Sequence, residues 1–237
     1  MAYCPGGSHQ SVPDSRIPRL SGTGRVADDL HLIAHHQITG RPYLSPRPLG
    51  AGIAGGLLAE LIAAGAVTLK RGYVLPLRPR AGVPGRTATV GDPVASHVLD
   101  LVSLEDPPLP ARDWLLFLGK ASAAAVAGRL EASGYLTRPA RRVPWQAPRP
   151  VASNVNWPQC ALLRAHAALD AARPLTLYSA VLAGLTLACG LGFRLSGLSD
   201  GPRRTVAEAT QDLPLPLQEL IAHLQMTADN TVLSARK

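Results

Sequence analysis

The apolar stretch at residues 49–69, LGAGIAGGLLAELIAAGAVTL, decides the fold. It is long enough to cross a bilayer, but it carries Glu60 near its middle. An acidic residue at the centre of a membrane helix costs roughly 2.5–3.5 kcal/mol. Alanine and leucine are strong helix formers, and Gly65 fits the position that ends a helix. We therefore predict a buried core helix over residues 49–65.

A second apolar stretch, LTLYSAVLAGLTLACGLGF at residues 175–193, contains no charged residue. Its length is near the lower limit for a membrane span, and small and hydroxyl-bearing residues dilute its hydrophobicity. A fully buried helix of a soluble bundle has the same composition. We predict a second core helix here. The N-terminal residues contain no apolar segment of the kind found in signal peptides.

Composition narrows the function classes. Hydrophobic residues make up 46% of the 237 residues and charged residues 17%, which excludes wholesale disorder. The sequence has three cysteines, Cys4, Cys160 and Cys189, which are too few for a disulfide framework. No two of them have the spacing of metal ligands. The low number of cysteines fits a reducing, cytoplasmic compartment. The 24 Lys and Arg against 16 Asp and Glu give a net charge of +8, which favours nucleic acid, acidic protein or anionic lipid as partner.

The remaining patterns predict an all-α fold: a mainly helical single domain around a buried helix-bundle core, with one or two short β-hairpins. Residues 1–25, rich in Gly, Pro and Ser, predict a disordered N-terminal arm, and residues 26–237 the domain. The segment AVTLKRGYVLPL predicts a β-hairpin that turns at residues 70–72. The sequence also predicts a helix that begins near Val26. Further helical patterns cover residues 93–104, 111–133, 157–172, 203–211 and 214–235.

The sequence contains no catalytic constellation. His31 and His35 have a spacing that suits a metal, but there is no HExxH motif and no third ligand follows. Nucleophile-elbow and phosphate-loop motifs are absent, and the glycine-rich residues 50–56 do not follow a strand as a dinucleotide-binding loop would. We predict that the protein is not an enzyme and uses no cofactor or metal.

Two ordered motifs carry a family resemblance. The first, GIAGGLLAELIAAGAV, fits a helix pattern through Gly52, Ile53, Gly55, Leu58, Glu60, Leu61, Gly65 and Val67. The second, ARDWLLFLGKASAAAVAGRLEASGYL, ends in an RLxxxGxL pattern at Arg129, Leu130, Gly134 and Leu136. In order and spacing, residues 26–236 resemble the Golgi phosphoprotein 3 domain family, including its bacterial members.

The resemblance implies an all-α fold around a four-helix core with an exposed β-hairpin. It also implies a peripheral membrane protein, because eukaryotic members bind phosphatidylinositol 4-phosphate in a basic pocket and act as adaptors that retain glycosyltransferases in the Golgi. The pocket positions differ here. The family's Trp falls near Ser45, its first Arg on Ala54, and its two later Arg on Lys120 and Ala123. Of these four positions, Lys120 alone keeps a positive charge.

The family's exposed hairpin corresponds to the segment after Leu136. Basic residues there surround an indole, which suits anionic headgroups and the membrane interface. Near an anionic surface each basic residue contributes about 1 kcal/mol, so binding would be weak and salt-sensitive. The predicted lipid-binding set is Lys120, Arg138, Arg141, Arg142, Trp145 and Arg149.

We therefore expect a non-enzymatic peripheral membrane protein that binds anionic phospholipid headgroups, of the phosphatidylinositol 4-phosphate type by resemblance, at the inner face of the membrane. Two alternatives stay open. A winged-helix-like nucleic-acid-binding module would fit the net charge, although the helices before the strands lack base-reading side chains. A protein-binding adaptor, or self-association through the 138–150 hairpin, would also use the basic surface.

Overall fold

A computed structural model describes residues 23–77, 92–139, 148–169, 175–195 and 201–234. In these ranges, nine α-helices and two strand pairs form a mainly helical domain, which confirms the predicted fold class. The predicted arm, except for residues 23–25, lies outside the described residues. The elements are α1 Val26–Ala34, α2 Pro46–Ala63, β1 Val67–Lys70, β2 Tyr73–Pro76, α3 Pro93–Leu104, α4 Ala111–Ala132, β3 Leu136–Thr137, β4 Val151–Ala152, α5 Asn156–His166, α6 Leu177–Thr186, α7 Gly192–Leu195, α8 Gly201–Gln211 and α9 Leu215–Ser234.

Helix α2 is the centre of the core, as the first apolar stretch predicts. It packs against α1, α4 and α9, and Ile53, Leu57 and Leu58 are fully buried. The helix begins at Pro46, three residues before the predicted start, because proline is well tolerated in the first turn of a helix. A helix apolar on all sides belongs in a protein interior, and α2 is buried along most of its length.

The second apolar stretch forms α6, a π-helical turn over Leu187–Leu191 and the short helix α7. Residues Leu177–Leu195 are long and apolar enough, by length and composition alone, to cross a membrane, but 72% of the apolar window is buried inside the domain. The regular helix is interrupted at Gly190, where φ is +95°. The stretch is thus a core helix of the domain, packed against α1, α5 and α9.

Both hairpins have the position that the sequence indicates. Strands β1 and β2 pair antiparallel, and Arg71 and Gly72 make the turn with φ values of 54° and 80°. Strand β3 pairs with β4, a two-residue strand inside the segment after Leu136 that corresponds to the family's exposed hairpin. The residues between these strands that carry Arg141, Arg142 and Trp145 lie outside the described residues.

The remaining helices follow their predictions with small shifts. Helix α3 has the predicted bounds, and its N-cap Asp92 accepts a hydrogen bond from the Ala95 amide at 3.0 Å. The segment predicted as one helix over residues 157–172 is α5 followed by a 3₁₀ turn at Ala167–Leu169. In α9, which the sequence predicts over residues 214–235, Leu217, Leu220 and Leu224 form an apolar stripe and are at most 1% exposed.

Candidate functional site

The structure separates the predicted lipid-binding residues. Lys120 is exposed on α4, and it lines a groove between α4 and the start of α2. Arg138 and Arg149 are exposed beside β3 and β4 and do not line this groove. Arg138 is paired with Glu131, with its Nε 2.8 Å from Oε2. Lys120 is therefore not part of the same described cluster as Arg138 and Arg149.

The groove has a volume of about 750 Å³ and a basic rim. Arg47 is the second residue of α2, Arg112 is the second residue of α4, and Lys120 lies two turns further along α4. Residues four apart on a helix share a face, so Arg112, Leu116 and Lys120 lie in one row. Two helices thus bring three cations to one groove.

Backbone contacts fix the two helices that carry these cations. Gly50 of α2 and Gly119 of α4 approach so closely that a Cβ on Gly119 would lie 2.9 Å from the Ala51 nitrogen. The start of α4 is tied to the first hairpin, because the Ala111 amide donates to the Gly72 carbonyl at 2.7 Å. The groove is therefore built on rigid elements.

The cations of the groove are unpaired within the part of the chain that the structure describes. There, Arg25, Arg129, Arg138 and Arg164 form ion pairs with carboxylates, whereas none of the three groove cations does. No Asp or Glu lies among the described residues that line the groove. The α2 N-terminus adds a partial positive charge at the same end. Arginine and lysine in this arrangement suit a phosphate group, which arginine can hold through two hydrogen bonds.

Two of the four family pocket positions lie on this groove, namely Lys120 and Ala123. Ser45 is the residue directly before α2, next to the groove, whereas Ala54 is fully buried in the core. Sequence reasoning missed Arg47 and Arg112. A signal for both was available, because Arg47 follows Ser45 by two residues and Arg112 precedes Lys120 by two helical turns.

The signature residues Glu60 and Arg129 serve the fold rather than the groove. Glu60 accepts a hydrogen bond from the Ala27 amide at 2.8 Å and so caps the first turn of α1. Arg129 donates from Nε to Asp28 Oδ1 at 2.9 Å and also pairs with Asp92. These contacts tie α1, α2, α3 and α4 together around a buried ionic cluster.

A second ion pair stands on the other side of α1. Arg164 of α5 donates from Nε to Asp29 Oδ2 at 2.6 Å, and the Tyr178 hydroxyl of α6 donates to the same carboxylate. Asp28 and Asp29 lie in the first turn of α1, where acidic residues suit the helix dipole. Both are buried, so each also needs the arginine that the tertiary fold supplies.

Burial shifts the ionisation of several groups in this region. It raises the pKa of Glu60 to about 7 and the pKa of Asp28 to about 6, the latter against the opposing charge of Arg129. It lowers the pKa of His31 well below its ordinary value and also lowers that of His35. These histidines stack with ring centroids 4.1 Å apart. Across the described ranges, no three His, Cys, Asp or Glu side chains are grouped to hold a metal.

The comparisons with known proteins agree with this architecture. The family model described as Golgi phosphoprotein 3 (GPP34) matches residues 26–224. Comparison with curated proteins gives no match. The family match includes both helices of the groove and the signature residues Glu60 and Arg129. Because it spans most of the sequence, the chain belongs to the Golgi phosphoprotein 3 family, a non-enzymatic family of lipid-binding and adaptor proteins.

Proposed function

We propose that the protein is a non-enzymatic peripheral membrane protein that binds the headgroup of an anionic phospholipid in the groove between α2 and α4. The observation that carries this proposal is the convergence of Arg47, Arg112 and Lys120 on one groove of about 750 Å³. Three cations without carboxylate partners among the described residues attract an anion. Membership in a lipid-binding family supports the same conclusion.

The ligand class follows from the chemistry of the rim. The volume lies in the range of small-molecule sites, which is about 300–1,000 Å³. Two guanidinium groups and one ammonium group favour a phosphomonoester, such as that of phosphatidylinositol 4-phosphate, over a singly charged phosphodiester. The protein would act at the inner, cytoplasmic face of a membrane. Partner proteins, including a second copy bound through the 138–150 hairpin, stay predictions.

The nucleic-acid alternative has less support. In a winged-helix reader, the helix near the hairpin presents polar side chains to the base edges in the major groove. Here α2 precedes the first hairpin and is buried along most of its length. Its exposed end carries Arg47 between two prolines, which offers one phosphate contact and no side chain that reads adenine or cytosine.

Liposome flotation tests the proposal. Vesicles of phosphatidylcholine alone, with phosphatidylglycerol, and with phosphatidylinositol 4-phosphate are compared at low and high salt. We expect Arg112→Ala/Lys120→Ala to weaken binding to anionic vesicles about 30-fold, from about 1 kcal/mol per basic residue. Stronger binding to the phosphoinositide than to phosphatidylglycerol would identify a phosphomonoester site.

The matched control is Arg138→Ala/Arg149→Ala, which also removes two exposed charges but outside the groove. We expect this variant to retain most of the binding. Equal losses in the two variants would show general surface electrostatics, and a loss in the control alone would place the lipid site on the hairpin. No binding of the unmodified protein to any anionic vesicle would contradict the proposal and leave a protein adaptor.

A further inference from the structure

We propose that Phe117 and Leu116 of α4 insert into the apolar layer of the membrane, so that α4 lies along the bilayer surface with its groove facing the headgroups. This inference rests on the proposed function and adds a second contact to it. It assigns a bilayer as the partner of an exposed apolar surface that the anion-binding groove alone does not explain.

Both side chains are exposed large apolar groups. Leu116 is 38% exposed and Phe117 is 52% exposed. They are the sixth and seventh residues of α4, a helix of 22 residues whose opposite face packs on α2. Single exposed apolar residues are ordinary, so a membrane contact is inferred from where this pair lies relative to the groove cations.

Helical spacing places this pair among the groove cations. Leu116 lines the groove, one turn after Arg112 and one turn before Lys120. Phe117 lies three residues before Lys120 and is therefore its neighbour on the helix surface. The same face of α4 thus presents both positive charge and apolar side chains.

Phe117 packs against the buried side chain of Trp114. Its ring meets the ring of Trp114 edge to face, with centroids 5.9 Å apart, and Trp114 is only 2% exposed. The buried indole supports the phenyl ring, so Phe117 projects from a fixed base. An anchor with a fixed position loses little conformational entropy when it is buried in a partner.

Charge complementarity favours an anionic bilayer over a protein as this partner. Amphipathic helices at membrane surfaces combine Lys and Arg with Phe and Leu, because headgroups receive the charges and acyl chains the apolar groups. Arg47, Arg112 and Lys120 supply that basic border. Asp113, one turn before Phe117, is the nearest acidic residue along this face of α4. The described residues that line the groove include three cations and no carboxylate, so the groove itself is positive.

Lipid monolayers measure insertion directly, because a protein that inserts apolar side chains raises the surface pressure. Phosphatidylcholine monolayers with phosphatidylinositol 4-phosphate or phosphatidylglycerol are used, with vesicle flotation on the same mixtures. We expect the unmodified protein to raise the pressure and Phe117→Ser to lose most of that rise. Phe117→Ser should also lose about tenfold in vesicle binding at high salt, where the apolar contact dominates. The double variant Leu116→Ser/Phe117→Ser should lose more of the pressure rise and more of the vesicle binding than Phe117→Ser.

The matched control is Leu163→Ser on α5, a helix that packs on α1 and α6. Leu163 is 54% exposed, so it tests the loss of an exposed apolar side chain elsewhere. We expect the control to keep both the pressure rise and the high-salt binding. Thermal unfolding of each variant checks that the fold is kept.

The outcomes separate this inference from the proposed function. Salt-sensitive vesicle binding with no pressure rise, or a rise that Phe117→Ser leaves unchanged, would overturn the insertion and leave the headgroup groove standing. An equal loss in Phe117→Ser and Leu163→Ser would overturn it as well. Absence of any vesicle binding by the unmodified protein would refute both.

Discussion

Gly50 of α2 and Gly119 of α4 meet backbone to backbone. A Cβ on Gly50 would lie 2.8 Å from the carbonyl carbon of Gly119, and one on Gly119 would lie 2.9 Å from the carbonyl carbon of Gly50. Side-chain carbons do not approach backbone so closely, so the crossing requires glycine at both positions. Gly50 lies one turn after Arg47, and Gly119 directly precedes Lys120. The helix crossing at these glycines therefore sets the width of the basic groove.

Gly119→Ala should force α2 and α4 apart. We expect a loss of about 1–3 kcal/mol in the free energy of unfolding, the usual effect of an extra methyl in a filled contact. Anionic vesicle binding should fall as well, because the groove cations separate. The matched control is Gly128→Ala on the same helix, where an added Cβ has no atom within 4 Å. Because alanine favours helix by about 1 kcal/mol, this control should be stabilising. Urea unfolding compares the two variants, and similar midpoints would contradict the account.

Arg129→Met should destabilise the domain through the buried carboxylates. The Arg129 side chain is 7% exposed. Its removal would leave the buried Asp28 without its ion-pair partner and would leave Asp92 paired with Arg25 alone. Breaking a buried ion pair from one side costs about 3–5 kcal/mol. The control, Arg138→Met, removes an exposed partner of Glu131 and should leave the unfolding midpoint near that of the unmodified protein. Equal midpoints for the two variants would show that the ionic cluster does not hold α1 to α4.

Local patterns in the sequence were enough for most of the secondary structure. Helix α3 has its predicted bounds because proline and an N-cap aspartate act within one turn. The hairpin turn is placed by Gly72, which takes a positive φ that glycine adopts freely. Strand β4 is only two residues long and pairs across residues distant in sequence, so periodicity gave no signal for it.

The candidate site was less accessible from the sequence. Lys120 was found by its place in the family pattern, whereas Arg47 and Arg112 were not. Their role depends on how α2 crosses α4, which the glycine contact determines and no local pattern encodes. The helix predicted to begin near Val26 includes Asp28, but the ion-pair partner of Asp28, Arg129, lies 101 residues later in the chain. Contacts of that separation require the tertiary fold.

Glu60→Gln should remove part of the pH dependence of stability. The pKa of Glu60 is raised from 4.5 to about 7, so its contribution to stability is complete below pH 4.5 and is lost as the pH rises through 7. Glutamine is uncharged and can still accept the hydrogen bond from Ala27. Between pH 5 and pH 8, the unmodified protein should lose up to about 3 kcal/mol relative to the variant. Unfolding midpoints of both proteins across this pH range test the prediction. If the midpoints of the two proteins changed with pH in parallel, the prediction would be wrong.

His31 should limit stability on the acidic side. Its side chain is 4% exposed and, among the described residues, its Nδ1 has no hydrogen-bond partner. Burial lowers the pKa of His31 well below the ordinary value of 6.5, so the native state resists a proton that the unfolded chain accepts. The contribution of His31 to stability is therefore lost as the pH falls below 6.5, by about 1.4 kcal/mol per pH unit, and it opposes the contribution of Glu60. His31→Phe should remove this loss and also the unpaired nitrogen. His31→Gln removes the titrating group but still buries a polar side chain. Stability should therefore depend less steeply on pH in both variants, and the glutamine variant should be the less stable of the two at every pH. If both variants lost stability on acidification as steeply as the unmodified protein, the loss would have to come from other groups.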